Sequence, residues 1–133
     1  MIQEIIDEGR VEIYLQPIVN IKDKKIYAFE ALTRAYDTNK EYISPVELFE
    51  EARKEHLSSK LDCYVRSLAL KKFEDYYKDD NSLLLFLNFE SSIIDDDSSD
   101  SFINTVKSSE IVPSNIVVEI KEDSVNNSKY LEK

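Results

Sequence analysis

The spacing of apolar residues changes period several times along the chain, and each change marks a predicted element. Residues 2–8 carry apolar positions at helical spacing and predict a short helix. Val11, Ile13 and Leu15 then alternate with Glu12, Tyr14 and Gln16, the two-residue period of a strand over 11–19, with Pro17 as its stop signal. Ile-Lys-Asp-Lys-Lys reads as a polar turn, and Ile-Tyr-Ala-Phe-Glu-Ala (26–31) as a second strand. So short a connection leaves no room for a helical crossover, so the two strands should form an antiparallel hairpin. Ser44, Pro45 and Glu47 are the N-cap, first-turn proline and capping-box acid of a helix whose stripe is Val46, Phe49 and Ala52. A second helix is expected over 58–78, with Leu61, Val65, Leu68 and Tyr76 on one face.

The run Leu-Leu-Leu-Phe-Leu-Asn-Phe (83–89) has no alternation, which is how a strand covered on both faces reads. Ser98 or Ser99 can cap a further helix carrying Phe102, Ile103 and Val106, which Pro113-Ser114-Asn115 breaks. Asp95-Asp96-Asp97 fits a loop before that helix, where negative charge is favourable. Ile-Val-Val-Glu-Ile (116–120) is a buried strand, and the tail enters one more helix. After the first helix the order is β-β-α-α-β-α-β-(α). Alternating strands and helices after a hairpin predict an α/β fold with a parallel sheet, here in one domain over 1–133.

Composition narrows the chemistry. A single glycine rules out phosphate-binding loops and dinucleotide fingerprints. A net charge of -10 argues against binding DNA or RNA through the surface as a whole, though not against a small nucleotide held locally beside a cation. One cysteine, Cys63, and one histidine, His56, leave little for a zinc site or a nucleophile–histidine pair. Cys63 is expected as a buried structural thiol and His56 as a surface residue. No apolar run has the length of a membrane span and no signal peptide opens the chain, which points to the cytoplasm.

Three apolar strands share one polar intrusion each: Glu30, Asn88 and Glu119. In a parallel sheet the C-terminal strand ends gather at one rim, so the three could converge there. Two carboxylates and an amide carbonyl are the oxygen donors of a hard cation such as Mg²⁺, Mn²⁺ or Ca²⁺. The alternative is that each carboxylate meets an Arg or Lys, or reaches solvent at a strand end.

Five segments in order then resemble one family. Tyr14-Leu-Gln-Pro-Ile-Val19 is similar to its opening motif, and Phe29-Glu-Ala-Leu-Thr-Arg34 contains the signature Glu-Ala-Leu and the arginine after it. Ser44–Ala52, Leu87-Asn-Phe-Glu-Ser91 and Val117-Val-Glu-Ile-Lys-Glu122 follow. The chain resembles the N-terminal half of an EAL domain, the family of cyclic di-GMP phosphodiesterases. The resemblance implies a partial TIM-type barrel whose first strand runs antiparallel to the second. It implies Glu30, Asn88 and Glu119 as ligands in a two-metal site for Mg²⁺ or Mn²⁺, and Arg34 on a substrate phosphate. Gln16 and Leu32 would line the nucleotide pocket, and Glu122 would support an active-site loop. The reaction implied is metal-dependent hydrolysis of cyclic di-GMP to the linear dinucleotide.

The resemblance also shows departures. Glu90 stands where the family has serine and Lys121 where it has threonine. The family's Asp-Asp-Phe-Gly-type motif and its later Lys, Glu and Gln have no counterpart here. The expectation is therefore an incomplete barrel with no complete catalytic set, inactive alone and prone to associate with itself or a partner through its open edge. The alternative is a non-catalytic half-domain that binds cyclic di-GMP or a protein.

Overall fold

The computed structural model describes residues 1–89 and 96–120. A short helix α1 (Ile2–Asp7) leads into the hairpin of β1 (Val11–Asn20) and β2 (Lys25–Tyr36). A two-residue strand β3 (Tyr42–Ile43), helix α2 (Pro45–Lys54) and helix α3 (Ser58–Tyr77) follow. Strand β4 (Leu84–Phe89), helix α4 (Asp96–Ser108), one 3-10 turn and β5 (Ile116–Ile120) complete the described chain. The sheet order is β1-β2-β4-β5, with β3 attached to β2. The pairs β1–β2 and β2–β3 are antiparallel, and β2–β4 and β4–β5 are parallel. The predicted α/β sheet with an antiparallel first pair is therefore present.

Local chemistry explains the elements. The hairpin turn is built by short polar side chains: Asn20 Oδ1 accepts from the Lys22 amide at 2.9 Å, and Asp23 Oδ1 from Lys25 at 3.1 Å. With no glycine there, the left-handed position falls on Lys24, at φ 59°. Ser44 caps α2 by accepting the Glu47 amide at 3.2 Å, and Pro45 opens the helix.

One sheet face is dry. Ile13, Phe29, Ala31, Leu85 and Leu87 pack against Ala69, Leu70 and Phe73 of α3 and Val106 of α4. A second cluster joins Ile2 and Ile5 of α1 to Val11, Ala35, Leu48 and Leu61. Burying each large side chain contributes about 1.5–3 kcal/mol, so this face supplies the stability of the fold.

Several expectations need correction. Pro17 does not end β1, because its missing N–H is tolerated on an edge strand, and β1 runs on to Asn20. β2 likewise continues through Thr33 and Arg34 to Tyr36, and pairs with the unforeseen β3. Val46 is exposed, and Leu48 with Ala52 forms the buried stripe of α2. The buried side of α3 is wider than Leu61, Val65, Leu68 and Tyr76, because α3 meets α2 and α4 as well as the sheet. Tyr76 is exposed, while Asp62, Arg66, Phe73 and Tyr77 are buried. Cys63 is exposed, on the outward side of α3 with Ser67 and Lys71. β4 alternates rather than being covered equally: Leu85 and Leu87 are buried, Leu84, Phe86 and Asn88 half-buried. α4 begins at Asp96, so Asp96 and Asp97 are helical rather than in a loop. Asp95, Glu90, Lys121, Glu122 and the tail helix lie outside the described residues.

Candidate functional site

Strand register decides which side chains share a face, because paired residues point the same way and residues two apart along a strand do too. Glu30 pairs with Gln16 of β1 on one side and Phe86 of β4 on the other. Asn88 lies two residues beyond Phe86 and pairs with Glu119 of β5. Leu32 pairs with Tyr14, and Arg34 with Glu12. Gln16, Glu30, Leu32, Arg34, Asn88 and Glu119 therefore occupy the one sheet face opposite the helix-packed core. The six sequence-predicted positions that fall among the described residues share that face.

Two of them touch. Asn88 Nδ2 donates to Glu30 Oε2 at 3.1 Å, across 58 positions of sequence. Both residues are half-buried, and among the described residues this is the polar partner of Glu30. Glu119 is exposed beside Asn88, on the neighbouring strand. No group of three or more His, Cys, Asp or Glu side chains gathers anywhere among the described residues. Glu30, Asn88 and Glu119 supply two carboxylates and an amide, oxygen donors suited to a hard cation and ill suited to a soft one.

The position of Glu119 depends on a contact remote from the rim. Asn115 Nδ2 donates to the carbonyls of Asn81, at 3.1 Å, and Leu83, at 2.8 Å. Tyr77 Oη donates to Asn115 Oδ1 at 3.4 Å. These bonds lock the entry of β5 to that of β4, and the register then carries Glu119 alongside Asn88. In the sequence Asn115 reads only as part of a helix-breaking turn.

Arg34 is held in a particular way. It makes no ion pair among the described residues, and its Nη1 donates to the Thr33 carbonyl at 3.2 Å. Its guanidinium carbon lies 5.6 Å from the ring centroid of Tyr14 and 5.6 Å from that of Tyr42. Tyr14 Oη donates to Glu12 Oε2 at 3.1 Å and lies 3.4 Å from Tyr36 Oη. The Tyr36 bond first, then the Glu12 carboxylate, push the Tyr14 phenol up to about 12. Lys72 lies 5.7 Å from the same Tyr14 ring, and its Nζ donates to the Ile13 carbonyl.

Between Asn88 and Arg34 of the sheet and the helices α2 and α3 is a cleft of about 60 Å³ lined in part by Leu32, Phe49 and Arg66. Arg66 is buried in a salt bridge with Asp62 one turn earlier and lies over the Phe102 ring, 4.8 Å from its centroid. Burial lowers the Arg66 guanidinium to about 10. Sequence periodicity passed over this pair because both partners are charged, and charged residues read as solvent-facing.

The sequence profile of the EAL domain matches residues 1–132. None of the curated protein sequences matches the chain significantly. Among solved structures, the chain resembles the PaMucR phosphodiesterase in complex with c-di-GMP, at 17% identity and a TM-score of 0.81, covering 97% of this chain and 53% of that one. The FimX EAL domain from Pseudomonas aeruginosa bound to c-di-GMP is similar at 19% identity and 0.77, covering 98% and 51%. An EAL domain protein from Listeria monocytogenes EGD-e is similar at 19% and 0.73, covering 98% and 55%. Likenesses at such identities show the fold, and the chain spans about half the length of these structures. With the profile match running over nearly every residue, the chain belongs to the EAL domain family.

Proposed function

We propose that this chain is the cation- and phosphate-gripping half of a cyclic di-GMP phosphodiesterase-type domain. The observation that carries the reading is the meeting of Asn88 and Glu30, with Glu119 next in register and Arg34 further along the same face. Two similar structures hold c-di-GMP by their own descriptions, which supports the choice of nucleotide.

The donor set fits Mg²⁺ or Mn²⁺, held by Glu30, Asn88 and Glu119. Asn88 has two ends. Its nitrogen end satisfies Glu30 as the structure stands, and its oxygen end would join the carboxylates around a cation. In the complete domain such cations supply an activated water and neutralise charge on the phosphodiester. The chain's own residues bind and orient. Arg34 offers its planar fork to a phosphate oxygen pair, and Gln16 and Leu32 flank the nucleotide on the same face. Glu122 would steady a neighbouring loop.

The chain by itself binds cyclic di-GMP in a cation-dependent way and does not hydrolyse it, because the described residues of this rim offer ligands for one cation rather than two. Calorimetry with cyclic di-GMP in Ca²⁺ tests the binding, and a hydrolysis assay in Mn²⁺ tests turnover. Binding that ignores the cation, or that survives Arg34→Ala unchanged, contradicts the reading. Turnover by the chain alone contradicts its second half.

A further inference from the structure

The function proposed above gives Arg34 a role but leaves unexplained why a long, rotamer-rich side chain should stand ready on an open sheet face. The register supplies an answer. Arg34 sits on β2, diagonal to Tyr14 on β1 and to Tyr42 on β3, and all three share one face. Diagonal neighbours of this kind are within reach of aromatic rings. Both rings approach the guanidinium to the same distance, 5.6 Å. Both tyrosines are substantially exposed, Tyr14 43% and Tyr42 52%, so core packing does not account for their positions. Tyr14 is fixed in turn by Glu12 and Tyr36 through its hydroxyl.

Resting on the phosphate role of Arg34, we infer that Tyr14 and Tyr42 are positioning residues that cradle the Arg34 guanidinium between them and set its edge toward the bound phosphate. A guanidinium between two rings keeps its charge and its in-plane N–H donors while losing rotational freedom. Ordering it before the ligand arrives removes that cost from binding. The cradle needs β3, the two-residue strand whose apparent purpose is otherwise only to lead into α2.

The test has a ligand-free arm and a ligand arm. In the ligand-free protein, ring currents should displace the Arg34 side-chain N–H resonances from the position of a free arginine. Tyr14→Leu and Tyr42→Leu should return them toward it, and Tyr42→Phe, which keeps the ring, should not. With cyclic di-GMP in Ca²⁺, each Leu variant should bind roughly fivefold more weakly, and Tyr42→Phe within about twofold of the parent protein. The proposal is overturned if the parent's Arg34 resonances sit at the free-arginine position, or if both Leu variants bind as tightly as the parent. If the ligand-free shifts appear but the parent binds no cyclic di-GMP, the cradle stands and the nucleotide reading fails. If Arg34→Ala binds normally, the phosphate role fails on its own.

Discussion

The two faces of one sheet differ in what they ask of the same strands. On the helix side, β2 presents Phe29 and Ala31 to Phe73 and Leu85, and all are buried. On the opposite side the same strand presents Glu30, Leu32 and Arg34, each only half-buried. A single residue's step separates an apolar contact that holds the fold from a polar one that does not. Glu30 and Arg34 are therefore free to be chosen for chemistry, while Phe29 and Ala31 are fixed by packing. The contrast also accounts for a carboxylate interrupting an apolar strand: Glu30 lies on the face away from the core, beside the Asn88 amide.

If the faces divide the work in this way, substitutions on each should have opposite signatures. The largest effect is expected from Phe73→Ala, which opens a cavity at the centre of the dry cluster and should cost about 3–5 kcal/mol in unfolding free energy. Asp62→Ala should cost about 3 kcal/mol, because the buried Arg66 guanidinium would lose a paired carboxylate. Chemical denaturation measures both, and a loss under about 1 kcal/mol at either site would break the assignment of stability to the helix side.

On the other face the signature reverses. Arg34→Ala should leave unfolding within about 1 kcal/mol of the parent while weakening cyclic di-GMP by about tenfold to a hundredfold. Glu30→Gln should remove the dependence of that binding on Ca²⁺, again with little change in thermal unfolding. An unfolding penalty at Arg34 matching that at Phe73 would erase the distinction between the faces.

The smallest expected effect concerns pH and lies away from both faces. Glu55 Oε1 accepts from the Ile2 amide at 3.0 Å, and that bond above all holds its carboxyl below the ordinary value of 4.5. A carboxyl lowered in the folded state adds stability above pH 4.5, and the contribution is lost as pH falls through the folded-state value. Melting curves of the parent and Glu55→Ala should therefore differ at neutral pH and converge in acid.

How much of this was legible in the sequence follows from the same contrast. Alternation revealed β1, because an edge strand with one wet face shows its period plainly in Val11 to Gln16. The polar intrusions at Glu30, Asn88 and Glu119 were visible because they interrupt apolar runs. β3 was invisible, since two residues carry no period, and with it went the role of Tyr42. Tyr14 reads as a strand residue opening a motif and not as a partner of Arg34, because its diagonal relation to Arg34 depends on register. Asp62 and Arg66 were missed because a paired charge inside a helix looks the same in sequence as a solvated one. Cys63 was misplaced for a related reason: apolar neighbours in sequence are not neighbours around a helix.

The central claim, that Glu30, Asn88 and Glu119 grip one divalent ion at a common rim, is tested most directly by titrating substoichiometric Mn²⁺ into the protein and following paramagnetic broadening by NMR. The Asn88 side-chain amide and the backbone amides of Glu30 and Glu119 should broaden first and together, and Glu30→Gln should spare them. Broadening that begins instead at Asp95-Asp96-Asp97, or spreads evenly over an acidic surface of net charge -10, would contradict the claim.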